Sequence, residues 1–543
     1  MTGQRDNTLV DKGRRNFVIA SGAVGAVVGL EPKFALGKTL AGVNGYDVVI
    51  VGGGSAGAAL AYRLSGDPAR RVLLIEAGKA YQPEEYPDPV RLQTIIGGDP
   101  AHDWGFTSEP GWAGKAIPVP RGKVLGGSSA INGAVAMRAH AGDFRRWAEA
   151  GLPNWSHDEV VPFYKLMERT SHGSDALHGR SGPWPIHQLQ WDEISDMQRA
   201  FIGSAEAAGY KRVTDFNGDD PFGVGPYPMN TRIGNRLNTG MTYLGRGVRA
   251  RPNLTIRSET LVDRLEIQDN RAPAVVLAGG ERIEAGEVVL AAGTYGSAAL
   301  LMRSGIGPAK DLSALDIPVV ADLPVGTRLQ DHPFFFTTWA AHPERLGLPI
   351  PPVGALLWGK SSLARPDDLD THVTAVHYGD PKSSPTGGIF MLAVANTRPQ
   401  ARGSVRLRDR NPASAPAIAL NLLGEAEDRQ RLMDGIEIVR RIVSDGPLKE
   451  IVADEMVPGP SIRDRAALES ALPMALDTYH HPTSTAPMGA DGDPHAVVDW
   501  QGRVKGVGGL RVADASIFPD VPSVATNPTV IMAAERIAAW MMA

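Results

Sequence analysis

A chain of 543 residues is too long for one ordinary core, which predicts two domains whose segments can interleave. Hydrophobic residues make up 43% and charged residues 21%, a globular balance, and a net charge of −5 argues against a nucleic-acid surface. The absence of cysteine excludes disulfides, thiolate metal sites and cysteine nucleophiles.

The chain opens with an extension over residues 1–44. Arg14-Arg15-Asn16-Phe17 leads into a small, apolar run ending at Leu30. That run is too short to span a bilayer comfortably and too rich in glycine for a core helix. It predicts a twin-arginine export signal, processed after Ala35-Leu36-Gly37. The expected destination is the periplasm or the exterior, with no stable membrane span after processing. The plainer reading is an extension carrying two surface arginines.

Tyr46 to Val51 is an unbroken apolar run that ends in glycines. It does not alternate, so it predicts a buried parallel strand. Ser55 to Ser65 reads as a helix and Val72 to Ile75 as the next strand, a βαβ unit of about thirty residues. Between strand and helix, Gly52 permits the tight turn, Gly54 lets a pyrophosphate approach the backbone, and Gly57 lets the helix pack against the strand. Ser55 and Ala56 open the helix, whose free N–H groups and positive dipole end suit phosphates. Glu76, at the end of the next strand, can accept hydrogen bonds from both hydroxyls of a ribose. The pattern is a dinucleotide cradle, and it does not by itself choose FAD over NAD.

A proline-rich loop region follows and ends in the small-residue run Gly126-Gly127-Ser128-Ser129, flanked by Val124-Leu125 and Ile131. Such a run is unlike a helix interior and predicts backbone lying against a bound group. Val288 to Leu290 reads as another buried strand, followed by a helix through Met302. Residues 311–480 change character, with mixed strands, proline joins at 349–352 and an amphipathic helix from Asp428 to Val443. Gly509 to Asp514 reads as a strand returning to the first domain, and Thr529 to Met541 as a terminal helix.

These segments, in order, carry a family resemblance. From Tyr46 to the C-terminus the chain resembles the glucose–methanol–choline oxidoreductases, FAD enzymes that oxidise alcohols. Arg121 to Asn132 is similar to the family's first signature and Gly293 to Gly307 to its second. Leu329-Gln330-Asp331-His332-Pro333 and Val512-Ala513-Asp514-Ala515-Ser516 match further habitual segments. The resemblance implies an α/β protein. Its Rossmann-like FAD-binding domain would comprise residues 45–160, 225–310 and 490–543. An interleaved α+β substrate-binding (cap) domain with an antiparallel sheet would comprise 161–224 and 311–489.

The resemblance also implies site residues. Val262 matches the valine whose backbone lies near the adenine. Val124, Gly126, Gly127, Ser128, Asn132, Gly133, Ala134, Ala292, Gly293, Asp514, Ala515, Pro528 and Thr529 fall on positions expected around the rest of the FAD. A covalent flavin link would need a histidine or cysteine in the first-signature region. Ser128, Ser129 and Ala130 stand there, so non-covalent FAD is expected.

The histidine of the family's His-Pro-x-Gly-Thr segment falls on His481, and its second catalytic position, His or Asn, falls on Asn527. The chemistry agrees. Oxidising an alcohol removes a hydroxyl proton while hydride leaves carbon. An imidazole titrates at about 6.5 and can take that proton. Asn527 can donate a hydrogen bond to the substrate oxygen. His480 is expected to line the pocket. Ser484 departs from the family's usual glycine, which is expected to tilt the loop slightly. Phe334-Phe335-Phe336 and Trp339 read first as the core of the cap sheet; any that face the cleft would imply an apolar or aromatic substrate.

The expected function is FAD-dependent oxidation of a primary alcohol, aromatic or furanic among the candidates, to its aldehyde. Oxygen or a quinone or cytochrome would take the electrons. A hydroxynitrile lyase-like enzyme that holds FAD is the alternative from another class, and a choline-type dehydrogenase is a further one. A light-driven decarboxylase of this family would need an active-site cysteine, which the chain lacks. A plain NAD enzyme would lack the later signatures.

Overall fold

The computed structural model describes residues 45–543, so the twin-arginine expectation lies outside the described residues. In chain order the elements that build the site are β1 (Tyr46–Val51), α1 (Ser55–Leu64), β2 (Val72–Ile75), β3 (Gly223–Pro226), β4 (Leu254–Arg257), β5 (Val262–Gln268), β6 (Arg271–Leu277), β7 (Arg282–Leu290) and α2 (Gly293–Arg303). They continue with β8 (Pro333–Ala341), β9 (Val353–Gly359), β10 (Thr371–Val376), β11 (Gly388–Asn396), α3 (Ala426–Val443), β12 (Val452–Val457), β13 (Leu476–Thr478), β14 (Leu510–Val512) and α4 (Thr526–Met542).

The first sheet has seven strands in the order β4-β2-β1-β7-β6-β5, with β14 paired to β7. β4, β2, β1, β7 and β14 run parallel, whereas β5, β6 and β7 form an antiparallel meander. The parallel strands are covered on both faces, which is why β1 and β2 are continuous apolar runs; Val49, Ile50, Leu73 and Leu74 have no exposed surface. Burying each such side chain contributes about 1.5–3 kcal/mol. α1 is built of Ala56, Gly57, Ala58, Ala59 and Ala61, all buried. These small residues let α4 lie against it. An ion pair between Arg63 and the fully buried Glu535 then joins the two helices, and the Tyr243 hydroxyl donates to the same carboxylate at 2.7 Å.

The second sheet also has seven strands, in the order β12-β8-β11-β10-β9-β3 with β13 paired to β8, and it is antiparallel throughout. α3 packs Leu432, Ile436 and Val439 onto it. β3 pairs with β9, so this sheet draws on residues on both sides of the 224–225 division expected from sequence. β8 alternates as a strand must: Phe335 is in the hydrophobic core, while Phe334 and Phe336 share the opposite face and line a cavity. No helix among the described residues is long and apolar enough to cross a membrane.

Candidate active site

The turn after β1 leaves a backbone slot. Gly52 has φ +104°, and a Cβ there would sit 2.4 Å from the Ala291 carbonyl oxygen. Gly54 and Gly127 face each other so closely that a Cβ on Gly127 would lie 2.7 Å from the Gly54 Cα. No side chain caps the start of α1, so its first N–H groups and positive dipole end are available to an anion. Glu76 closes the other side of the turn. Its Oε2 accepts from the Gly53 N–H and its Oε1 from the Gly78 N–H, each at 2.7 Å. Burial pushes this carboxyl up to about 7, against the pull of those N–H groups. Each oxygen keeps a second lone pair for a hydroxyl donor.

A cavity of about 610 Å³ runs past this turn. Its wall includes Gly52, Gly54, Ser55, Ala56, Glu76 and Val262. It also includes Gly127, Ser128, Asn132, Gly133, Ala292, Gly293, Asp514, Ala515, His480, His481 and Asn527. Residues from both ends of the sequence thus meet in one space. The size falls within the range of about 300–1,000 Å³ typical of ligand pockets.

Six expected cofactor residues lie behind that wall. A Cβ on Gly57 would lie 1.8 Å from the Gly52 oxygen, so this glycine serves helix-to-strand packing. Val124 is buried with Tyr86, Val90, Ala130 and Ile131. Gly126 turns the chain at φ +105°, and its N–H donates to the Gly53 oxygen at 2.8 Å. Ala134 is held at φ +58° by its N–H donating to Asn132 Oδ1 at 2.9 Å. Pro528 is buried in the first turn of α4. The Thr529 hydroxyl is engaged by Tyr164 at 2.8 Å and by the Ala139 N–H at 3.3 Å. These six residues support the wall from behind and do not line the cavity. Asp514 lines the cavity but is also occupied: it accepts from the Gly293 N–H at 2.8 Å and from Ser297 and Ser516 hydroxyls, both at 2.5 Å.

At the other end of the cavity His481 meets His332. Their Nδ1 atoms are 3.0 Å apart, which leaves Nε2 of His481 as the ring nitrogen available to the cavity. Asp331 fixes both backbones, because its Oδ1 accepts the N–H of His332 and of His481, each at 2.8 Å. The His481 ring is held well below its ordinary pKa by burial and by His332, His480 and Arg121 around it. Burial, with Arg121, pushes His480 down to about 3, and burial pushes His332 and His372 to about 3. These imidazoles are therefore neutral near pH 7, the form that accepts a proton.

Asn527 sits at the start of α4. Its Oδ1 accepts from Ser55 Oγ at 2.6 Å, and its buried Nδ2 has no protein partner. His480 has a similarly unpartnered Nδ1 and a left-handed backbone at φ +63°. Ser484 also has a positive φ of +68°, the conformation for which the family's glycine is suited. The serine adopts that conformation, and its hydroxyl pairs with Thr483 at 2.9 Å.

Tyr479, which no sequence motif singled out, completes the wall at this end. Tyr479 stacks on Phe334 with centroids 4.0 Å apart and planes 8° apart, and lies 4.5 Å from the His481 ring. Its hydroxyl meets Thr374 at 2.9 Å and His372 at 3.2 Å. Arg121 reaches this end too, donating to the His480 carbonyl at 3.1 Å. His332 and Arg121 stood inside motifs that the sequence displays. Their contact with the histidine loop has no local signal. Among the described residues no group of acids and histidines is arranged to hold a metal ion.

The wall fits a flavin dinucleotide on three counts: an uncapped helix start beside a slot only glycine leaves open, a carboxylate with spare lone pairs at the turn, and buried unpartnered polar atoms on Asn527 and His480. An FAD-binding oxidoreductase is the class that such a fold and wall define. Sequence models of the GMC oxidoreductase family match residues 46–334 and 399–534, and the chain belongs to that family. It is 35% identical over 532 residues to an oxygen-dependent choline dehydrogenase of Rhizobium etli, covering 91% of this chain and 94% of that one. Pyridoxine 4-oxidase from Mesorbium loti superposes with a TM-score of 0.83 at 33% identity, over 91% of this chain and 99% of the other. Formate oxidase of Aspergillus oryzae, in a study of FAD modification, superposes with a TM-score of 0.80 at 25% identity, over 91% and 97%. The chain is thus an FAD-dependent oxidoreductase acting on CH–OH groups.

Proposed function

We propose that this enzyme oxidises a primary aromatic alcohol to its aldehyde, with His481 as the base, and passes the electrons to dioxygen. The observation that carries this reading is the neutral His481 beside the stacked Phe334–Tyr479 pair on one cavity wall. Phe334, Phe336, Val353, Val376 and Tyr479 give that wall apolar and aromatic faces suited to a planar ring. Asp477 is the one carboxylate on this stretch, and Lys115 acts on it as a counter-charge. Pyridoxine 4-oxidase, named for an aromatic alcohol and for oxidase chemistry, supports both parts of the reading.

When bound, FAD supplies the acceptor for the hydride that leaves the alcohol carbon. Gly54, Ser55, Gly127 and Asn132 would hold it along the turn, with Glu76 and Val262 at its nucleotide end. Nε2 of His481 takes the hydroxyl proton, so negative charge builds on the substrate oxygen. Asn527 Nδ2 donates to that oxygen and keeps the C–H oriented. Arg121 adds a fixed positive charge at the same end. The Phe334–Tyr479 pair gives this end of the cavity an apolar, aromatic wall.

A choline-type reading has its own support: the identity to choline dehydrogenases, and aromatic faces that also attract a quaternary ammonium. A panel of benzylic and pyridyl alcohols against choline, scored by kcat/KM and hydrogen peroxide release, tests the choice. We expect the best aromatic alcohol to exceed choline by at least about tenfold, a gap of ~1.4 kcal/mol in transition-state binding. The reverse order rejects the aromatic assignment. His481→Ala should lower kcat on the order of 10²–10⁴-fold, whereas His480→Ala should cost far less. Full activity in the His481 variant rejects the base.

A further inference from the structure

We propose that His332 is a positioning residue that sets the tautomer of His481, so that a lone pair on Nε2, and not an N–H, faces the alcohol. The proposal rests on the reading of His481 as the base. The two Nδ1 atoms are 3.0 Å apart and the rings stand at 89° to each other. Two neutral imidazoles share such a hydrogen bond only if one Nδ1 carries the proton and the other offers its lone pair. If His481 donates, its Nε2 is free to accept a proton. If His332 donates, His481 carries its single proton on Nε2 and is useless as a base.

The surroundings of His332 choose between these arrangements. The ring is fully buried, and its Nε2 has no partner in full hydrogen-bonding geometry. The backbone carbonyls of Thr397 and Pro522 favour a proton on this ring, and with Nδ1 committed to His481 the nitrogen left to carry that proton toward them is Nε2. A lone pair aimed at carbonyl oxygens is repelled, whereas an N–H is attracted even short of ideal geometry. The proton of His332 therefore sits on Nε2 and its Nδ1 is an acceptor. Nδ1–H of His481 must then be the donor.

Asp331 makes this arrangement rigid. One buried carboxylate oxygen holds the N–H groups of both histidines, and the other accepts from Thr478 at 2.6 Å. When Nε2 of His481 takes the substrate proton, the Nδ1 lone pair of His332 continues to accept from the imidazolium. No second proton needs to move. Arg121, His480 and His372 also face His481, and Asp143 and Arg398 act on His332. None of them accepts a hydrogen bond from His481 Nδ1, so the tautomer falls to His332 alone.

The direct test is nitrogen-15 NMR of histidine-labelled holoenzyme above pH 7, with His481 assigned by the signals lost in His481→Ala. A pyrrole-type Nδ1 and pyridine-type Nε2 on His481 are expected. The opposite pattern overturns the proposal, whatever the catalytic role of His481. The kinetic test compares His332→Leu, which removes the acceptor, with His332→Asn, whose side-chain oxygen restores one. The Leu variant should lose about 10²-fold in kcat with KM little changed, and its flavin content should be unaltered. Its kcat/KM profile should show a lower pKa for the base, because the imidazolium loses an acceptor. The Asn variant should regain most of the lost rate. An Asn variant no better than Leu, or a Leu variant as fast as the parent, overturns the proposal. If the Leu variant does not fold, the NMR pattern of the parent enzyme decides.

Discussion

The Ser55 hydroxyl donates to Asn527 Oδ1 at 2.6 Å, joining residues 472 positions apart. The first residue of α1 thereby orients an amide at the first turn of α4. With Oδ1 engaged, Nδ2 is left as an unpartnered donor on a residue that lines the cavity. Asn527→Leu should lower kcat/KM by about 10²-fold, as expected for loss of a donor to a developing oxyanion. Ser55→Ala should cost about tenfold, by freeing the amide to rotate. Steady-state kinetics on flavin-replete protein measures both. An inert Ser55→Ala would show that packing alone holds Asn527.

Gly54 and Gly57 should respond differently to alanine. A Cβ on Gly54 meets nothing closer than the Gly127 Cα at 3.7 Å, so the chain should fold normally. That Cβ would occupy the slot along the cavity, so flavin content, read from the visible absorbance, should fall sharply. Gly57→Ala forces a Cβ to within 1.8 Å of the Gly52 oxygen. It should cost several kcal/mol, roughly the upper end of overpacking penalties, and lower Tm before any cofactor effect appears.

Acid should destabilise the enzyme through its buried histidines. His140 is pushed down to about 4, and His332, His372 and His480 to about 3, all mainly by burial, with His481 lowered as well. Unfolded histidines take protons near pH 6.5 and these folded ones do not, so stability falls as pH drops below 6.5. Glu76 and Asp331, pushed up to about 7 and about 6, act in the opposite sense, because their folded carboxyls take protons before the unfolded ones. The lowered rings, which also include His157 and His377, outweigh the raised carboxyls, which also include Asp428, Asp477 and Asp514. Each unmatched proton is worth about 1.4 kcal/mol per pH unit. Urea titrations at pH 7.5 and 5.5 should show clear loss at the lower pH; equal midpoints would contradict the neutral assignment of these rings.

FAD should leave the polypeptide on acid precipitation. Ser128, the wall residue of the first signature, and its neighbours Ser129 and Ala130 offer no nucleophile of the kind that links a flavin covalently. Yellow colour retained in the precipitate would refute non-covalent binding.

Residues 1–40 are proposed to direct export. Fused to a reporter, they should carry it out of the cytoplasm, and replacing Arg14 and Arg15 by glutamine should keep it inside. Unchanged export in that variant would reject the twin-arginine reading.

The strand–turn–helix of residues 46–64 was legible because its signals are local. An unbroken apolar run demands burial on both faces, and glycine at 52, 54 and 57 answers steric needs within one turn. The same holds for the β14 strand, the amphipathic α3 and the terminal α4. Phe334 to Phe336 show where local reading stops. Alternation guarantees that neighbours face opposite ways, yet only the packed sheet assigns Phe335 to the core and its neighbours to the cavity. Thr529 was assigned to the cofactor by motif position; its hydroxyl is engaged by Tyr164 and Ala139, an arrangement no short stretch of sequence reveals.

By itself the sequence determined the nucleotide cradle, the family and the identity of a candidate base, since each is written within a few neighbouring residues. The tertiary structure alone decided which side chains meet: Ser55 with Asn527, His332 with His481, and Tyr479 with Phe334. Those meetings depend on how two sheets and the α1–α4 pair pack. That packing is a cooperative property of burial across the whole chain, and it sets hydrogen-bond partners that no local pattern encodes.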